Sequence, residues 1–187
     1  MPRPLRPQVE GGVYHLVSRC VRKLPLFVDD HDRERFLALL DLTATRYRWQ
    51  IHAYCLMTNH FHLLVTTEQA NVSHAMQYLN GRYAHWFNIR HGYEGHVLDR
   101  RFYSALVETD EHLLNLARYI VLNPVRAGIC STAAGWRWSS YRATLAPLTT
   151  AVPRLTRWLL DLFGRELEEA RARFAAFVRS GEPSAVP

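Results

Sequence analysis

The chain has 187 residues, a length that favours one domain, and its 48% hydrophobic and 21% charged residues are typical of a folded protein. No apolar run reaches the roughly 18 residues that a membrane span requires, and the charged N-terminus lacks the apolar core of a secretory signal. Three widely separated cysteines, Cys20, Cys55 and Cys130, favour neither a disulfide framework nor a cysteine-only zinc site. These features predict a protein of the reducing cytoplasm.

The net charge of +6 is concentrated in two segments of the chain. Residues 1–28 carry five basic residues and one acidic residue, whereas residues 112–160 carry six arginines and no acid. The rest of the chain is mildly acidic, so the two segments resemble the electrostatic footprint of a polyanion-binding protein. A solvated basic face without a partner is the alternative. The acid-free stretch of 49 residues favours nucleic acid over that alternative.

Hydrophobic periodicity predicts the secondary structure in chain order. A strand over 13–20 precedes a helix that begins with acidic residues at 29, 30 and 32. A hairpin follows, with strands over 49–57 and 60–67. A second helix has its apolar stripe over 72–87, and it precedes a loop over 88–95. The chain continues with a strand over 98–107 and a third helix over 111–122. This order predicts an α+β fold with a ferredoxin-like split βαβ sheet and an additional helix.

The composition changes after Gly128. Trp136, Trp138 and Tyr141 lie among serines and arginines, and two further helices are predicted over 155–163 and 166–178. We therefore predict a sheet domain over residues 1–128, with a basic arm at its N-terminus, and a helical C-terminal extension over 129–187 that packs on it.

The second strand of the hairpin begins with His60, Phe61 and His62. Side chains alternate along a strand, so the two histidines face one side of the sheet and Phe61 faces the other. Two imidazoles side by side on a rigid hairpin are suited to share one divalent metal ion. A pair of surface histidines near a turn is the alternative, and the His-x-His spacing taken alone favours it.

The third helix carries Tyr119 and Asn123, which share a face because they are four residues apart. A tyrosine hydroxyl near a metal ion can attack a phosphodiester, and Asn123 can supply an oxygen as third metal ligand. Pro124 disfavours helical geometry at Asn123, which allows the helix to end at Leu122 and Asn123 to cap a following turn. A tyrosine that serves packing alone is the alternative.

Five motifs follow one another along residues 12–141, and their combination is more specific than any one of them. They are Gly12-x-Tyr14-His15-Leu16-Val17-Ser18-Arg19, Met57-Thr58-Asn59-His60-Phe61-His62-Leu63-Leu64-Val65, Gly95 with Arg101-Phe102, Ala117-Arg118-Tyr119-Ile120-Val121-Leu122-Asn123-Pro124-Val125-Arg126-Ala127-Gly128 and Trp136-x-Trp138-Ser139-Ser140-Tyr141. In this combination the sequence resembles the single-tyrosine HUH transposases of insertion sequences, named for their His-hydrophobic-His motif. Within that group it resembles the REP-associated tyrosine transposases, which act at repetitive extragenic palindromes (REPs).

The resemblance implies a metal-dependent enzyme that nicks and transfers single-stranded DNA. His60 and His62 would be metal ligands with Asn123 as the third, and the metal would be Mg²⁺ or Mn²⁺. Tyr119 would attack the strand next to a hairpin, which leaves a 5′-phosphotyrosine and a free 3′-hydroxyl and allows strand transfer without ATP.

The resemblance also implies the partners. The DNA would be a REP-like palindrome folded as a hairpin, together with a short unpaired guide. Arginines of the basic segments and of the fourth strand would contact this DNA: Arg3, Arg6, Arg19, Arg22, Arg101, Arg118 and Arg126. The extension over 129–187 favours a monomer, and a homodimer that swaps the tyrosine helix is the alternative. Two other functions stay open: a hairpin-binding protein without catalysis, and a metal phosphodiesterase that uses water.

Overall fold

The computed structural model describes residues 8–99, 101–146, 155 and 157–182. The predicted order of elements is confirmed, and within the described residues the sheet region runs through β1 (Val13–Arg19), α1 (Asp30–Tyr47), β2 (Trp49–Leu56), β3 (His60–Thr67), α2 (Val72–His91), β4 (Tyr103–Val107) and α3 (Asp110–Arg126). Three more helices follow: α4 (Tyr141–Leu145), α5 (Trp158–Asp161) and α6 (Leu167–Arg179). Short 3₁₀ turns lie at Val21–Lys23 and Ala133–Gly135.

The four strands form one sheet in the order β2-β3-β1-β4, and each neighbouring pair is antiparallel. This is the strand order of the ferredoxin-like split βαβ fold, as the sequence predicts. The central pair β1 and β3 places Val17 opposite His62 and Arg19 opposite His60. The histidines of β3 are therefore flanked by β1 on one side and by β2 on the other, in the middle of the sheet.

Each face of the sheet has its own apolar core. On one face, helices α1 and α2 cover Phe61, which is fully buried and lies 4.5 Å from Phe36 between ring centroids. Phe61 thus anchors the hairpin, as the alternation of side chains predicts. On the other face, α3 and the segments after it form a second core that includes Leu64, Ile120 and Phe174. The histidine face of β3 is consequently the face covered by α3.

The C-terminal segment is attached directly to the edge of the sheet at β2. The indole Nε1 of Trp136 donates a hydrogen bond to the carbonyl of Leu56 (3.0 Å), and the backbone N–H of Leu56 donates to the carbonyl of Trp138 (2.9 Å). The hydroxyl of Ser140 accepts from the backbone N–H of Tyr54 (3.1 Å). These bonds join the Trp-rich motif to β2, the first strand of the hairpin that carries His60.

Three predicted boundaries are wrong. Helix α2 extends to His91, into the predicted loop, and ends where Gly92 adopts a left-handed conformation with φ of 64°. Strand β4 begins at Tyr103, because Leu98 makes only an isolated bridge to Cys20. The helix predicted over 155–163 shortens to α5, since Leu155 pairs with Ile51 of β2 instead.

Helix α3 does not end at Leu122, so the expectation that Asn123 caps a separate turn is wrong. The helix continues through Pro124 to Arg126. A proline inside a helix costs about 3 kcal/mol. The burial of Val121, Leu122 and Val125 in the second core offsets that cost, since each buried aliphatic side chain contributes roughly 1.5–3 kcal/mol.

Among the described helices, none combines the length and the apolar character that crossing a bilayer would require.

Candidate active site

The hairpin between β2 and β3 holds His60 and His62 side by side. The backbone N–H of Met57 donates to the carbonyl of His60 (2.9 Å) and closes the turn at Thr58–Asn59. The two imidazoles lie 5.0 Å apart between centroids in an edge-on arrangement. His60 is half-buried, whereas His62 is 3% exposed. This confirms that the two rings share one face of the sheet.

Each histidine has a polar neighbour at its Nδ1 atom. Nδ1 of His60 lies 2.7 Å from Oδ1 of Asn59, whose Nδ2 donates to the carbonyl of Lys23 (3.4 Å). Nδ1 of His62 lies 3.0 Å from Nε2 of His15 on β1, and these two rings are stacked with 5.2 Å between centroids. The Nδ1 side of both metal-ligand candidates is therefore occupied by protein groups.

Sequence reasoning did not identify His15 or Asn59 as site residues. The one signal in the sequence was a histidine within the largely apolar segment that forms β1, and the structure shows that His15 is buried. Its contact with His62 depends on the register of two strands far apart in the chain, where Val17 rather than His15 lies opposite His62. Asn59 was assigned only to the turn, and its side-chain contacts required the structure.

The three histidines of this cluster are held in the neutral form near neutral pH. Burial lowers the pKa of His15 and of His60 to about 4, with smaller contributions from His112 and Arg19, respectively. The pKa of His62 is lowered to about 3, mainly by burial and to a smaller extent by His60, His15 and Arg19. A neutral imidazole keeps a lone pair on one ring nitrogen, which is the form that binds metal ions.

Tyr119 lies against this histidine cluster from helix α3. Its ring is 5.8 Å from that of His62 and 6.4 Å from that of His15, and both pairs meet edge to face. The guanidinium of Arg126, two turns further along α3, lies 5.0 Å from the centre of the Tyr119 ring. The structure thus brings the predicted nucleophile, one predicted metal ligand and one predicted DNA-binding arginine together within a single chain.

Asn123 lies one helical turn beyond Tyr119 on the same face of α3, because the helix continues through it. Its Nδ2 donates to the carbonyl of Tyr119 (2.9 Å), so the amide nitrogen is turned back along the helix. This hydrogen bond does not use the amide oxygen, which is the atom that the prediction assigns to the metal.

The donor set fits a divalent metal ion. Nε2 of His62 is buried and has no hydrogen-bond partner among the described atoms. Within the part of the chain that the structure describes, no three His, Cys, Asp or Glu side chains are arranged so that they alone could hold a metal ion. The protein would therefore supply three ligands to the metal ion, which are two imidazoles and the amide oxygen of Asn123. The remaining coordination positions would be open to phosphate oxygen and water.

The arginines predicted to bind DNA fall into different environments. Arg19, Arg22 and Arg101 are exposed, and Arg22 lies in a left-handed conformation with φ of 52° in the Val21–Lys23 turn. Arg118 is half-buried: its guanidinium lies 4.3 Å from the centre of the Phe177 ring and donates to Oδ1 of Asn115 (3.0 Å). The predicted contacts of Arg3 and Arg6 lie outside the described residues.

Comparison with known proteins gives consistent matches. A family model described as "Transposase IS200 like" matches residues 8–123. A REP-associated tyrosine transposase of Haemophilus influenzae is 24% identical over 147 residues, which cover 73% of this chain and 83% of that protein. Among solved structures, a REP-associated tyrosine transposase bound to a REP hairpin matches with a TM-score of 0.67 and 16% identity, over 83% of this chain and 94% of that one. A transposase of Deinococcus radiodurans matches with a TM-score of 0.45 and 18% identity, over 64% and 95%.

The family match covers more than half of the chain and extends from before β1 to Asn123 near the end of α3. It therefore includes the whole sheet, the His60 hairpin and Tyr119. The resemblance inferred from the motifs is confirmed, and the REP-associated relatives are similar in sequence and in fold. The chain belongs to the IS200-like transposase family.

Proposed function

We propose that this transposase nicks and joins single-stranded DNA beside a hairpin through a covalent bond between Tyr119 and a 5′-phosphate. The observation that carries the proposal is the contact of Tyr119 with His62, whose buried Nε2 has no hydrogen-bond partner among the described residues. Here a candidate nucleophile lies beside a candidate metal ligand that has one ring nitrogen without a hydrogen-bond partner. Packing alone does not require this arrangement.

The chemistry follows from the position of Tyr119. Its hydroxyl oxygen attacks the phosphorus and loses its proton to solvent, while the bond from phosphorus to the 3′-oxygen breaks and the leaving 3′-oxygen takes up a proton from solvent. The products are a 5′-phosphotyrosine and a free 3′-hydroxyl. Arg126 lies over the Tyr119 ring, where its positive charge stabilises both the phenolate and an approaching phosphate.

Three side chains would hold the metal ion, Mg²⁺ or Mn²⁺: His60, His62 and Asn123. When bound, the metal polarises the scissile phosphate and neutralises the charge that develops on it. His60 and His62 are fixed by the hairpin and by their Nδ1 contacts. Asn123 is fixed by the hydrogen bond from its side chain to the backbone carbonyl of Tyr119. This rigidity allows the chain to orient the phosphate for in-line attack.

The proposed substrate is a hairpin of a REP-like palindrome with an unpaired flank. The solved relative with a TM-score of 0.67 is bound to a REP hairpin, which supports this choice. The exposed Arg19 ends β1 opposite His60, and the exposed Arg22 lies in the turn that follows. Both are therefore suited to contact the phosphates that flank the scissile one. We place the activity in the cytoplasm and in a monomer.

The test is the formation of a covalent adduct. The protein is incubated with Mn²⁺ and a labelled hairpin that has a single-stranded flank, and adducts are separated under denaturing conditions. We expect an adduct with the wild type and with the control variant Tyr93→Phe, which alters an exposed tyrosine in the loop after α2. We expect none with Tyr119→Phe and none when the metal is chelated.

Other outcomes identify the two alternatives. An adduct that survives Tyr119→Phe would refute the assignment of the nucleophile. Cleavage without any adduct would favour a phosphodiesterase that uses water. Retained hairpin binding with neither cleavage nor adduct would favour a binding protein that has lost the chemistry.

A further inference from the structure

Two residues that contact the metal-ligand candidates occupy equivalent positions relative to them. Oδ1 of Asn59 meets Nδ1 of His60, and Nε2 of His15 meets Nδ1 of His62. We infer that Asn59 and His15 are positioning residues that give His60 and His62 the same tautomer, with the proton on Nδ1 and the lone pair on Nε2. The inference rests on the metal site of the proposed function, and it concerns side chains to which the sequence assigned no role.

At His60 the tautomer is determined by the hydrogen bonds of Asn59. The carbonyl of Lys23 can only accept, so the atom of Asn59 that faces it must be the donor Nδ2. The atom that faces His60 is then the acceptor Oδ1, 2.7 Å from the ring nitrogen. Nδ1 of His60 must therefore donate, and in a neutral ring the lone pair is left on Nε2.

At His62 the argument depends on how one proton is shared between two rings. Nδ1 of His62 and Nε2 of His15 are 3.0 Å apart, and a hydrogen bond between them requires that only one carries a proton. If His15 donated, the proton of His62 would lie on Nε2, a buried atom without an acceptor in the described structure. Either tautomer leaves an unsatisfied group at this buried atom, but an N–H there repels a cation and cannot be satisfied by one. If His62 donates, the buried Nε2 has a lone pair that a cation can use.

The backbone makes both contacts rigid. His15 lies on the central strand β1, diagonally across from His62, because Val17 is the residue directly opposite. Asn59 lies in the tight turn, where its backbone carbonyl also accepts from the N–H of Cys20 (2.8 Å). Neither contact relies on a flexible loop, so both acceptors are held in place before any metal or DNA arrives.

The direct test is ¹⁵N NMR of the imidazole rings in the metal-free protein at neutral pH, with the rings assigned by single histidine replacements. We expect protonated Nδ1 and unprotonated Nε2 in both His60 and His62. A protonated Nε2 in either ring would overturn the inference for that ring. This readout involves no DNA, so it stands apart from the failure or success of the nicking reaction.

The second test measures Mn²⁺ affinity by calorimetry. Removing a group that orients a metal-binding histidine lowers affinity about 10- to 100-fold. We expect this loss for His15→Leu and Asn59→Ala, which remove the acceptor. We expect His15→Gln to retain affinity close to the wild type, because its amide oxygen can replace the acceptor at Nδ1 of His62.

The matched control is His52→Leu, which removes another buried histidine of the sheet. His52 is 1% exposed and bonds to the hydroxyl of Thr66 (2.7 Å) rather than to the hairpin histidines. Its replacement is expected to leave Mn²⁺ affinity unchanged. Equal losses in His52→Leu and His15→Leu would refute a specific role for His15, as would wild-type affinity in His15→Leu. If the wild type binds no Mn²⁺ although both tautomers are as inferred, the proposed metal site fails and the assignment of the tautomers survives.

Discussion

Protonation of His52 is expected to destabilise the fold as the pH falls. This side chain is almost completely inaccessible to water, and its ring packs 4.6 Å from that of Trp158. Burial lowers its pKa from 6.5 to about 4. The unfolded chain therefore binds a proton at higher pH than the folded chain does. The stability that neutral His52 contributes is complete above about pH 6.5 and is lost as the pH falls toward 4.

The size of the effect follows from the shift in pKa. A difference of one pKa unit corresponds to 1.36 kcal/mol, so the change from 6.5 to about 4 corresponds to about 3 kcal/mol at most. A loss of this size is a large fraction of a typical unfolding free energy of about 5–15 kcal/mol. His52 suits the test because burial is the cause of its shift, whereas His15, His60 and His62 influence one another.

The assay is urea unfolding of the wild type and of His52→Gln at several values between pH 7 and pH 4. Glutamine preserves a polar partner for Thr66 and does not titrate. The wild type is expected to lose about 3 kcal/mol more than the variant across this range. Parallel pH profiles of the two proteins would show that His52 does not carry the penalty, and the reasoning from burial would be wrong.

Three further predictions concern the site and its DNA. Arg126→Ala is expected to slow adduct formation about 10- to 100-fold in single-turnover assays, because a charge-assisted hydrogen bond to phosphate contributes roughly 1.5–3 kcal/mol; an unchanged rate would exclude a role for this guanidinium. Arg22→Ala is expected to lower the slope of hairpin affinity against salt by about 1, whereas Arg118→Ala is expected to reduce thermal stability and leave that slope unchanged, because Arg118 packs on Phe177. Mixing Tyr119→Phe with His60→Ala is expected to give no adduct, and recovery of the adduct would show that two chains share a site.

The fold and the hairpin site were predictable because they depend on local patterns. The alternation around Phe61 determines which side of the sheet the two histidines face, and the order of periodic segments determines the topology. The end of α3 was not predictable, because the local preference of Pro124 opposes the helix and only the second core overrides it. Similarly, the start of β4 depends on which residues pair with a neighbouring strand, and Leu98 makes only an isolated bridge.

The contacts of single side chains required the tertiary structure. His15 reaches His62 through the pairing of β1 with β3, and no spacing in the sequence encodes that register. Arg118 and Arg126 are both predicted to contact DNA, and the sequence does not distinguish their surroundings. In the structure Arg118 packs on Phe177 of α6, whereas Arg126 lies over the Tyr119 ring.

The position of α6 explains how Tyr119 is held beside the histidines of its own chain. Tyr119 meets His62 of the same chain, so no exchange of helices is needed to assemble the site. The C-terminal segment packs on a neighbouring face of α3: a Cβ atom on Gly181 would lie 2.9 Å from Cδ of Arg118 and 3.1 Å from Cδ1 of Leu122. Because this approach is so close, α3 cannot leave the sheet without breaking its packing against the residues that follow α6. The extension therefore holds the helix that carries Tyr119 against the histidine face.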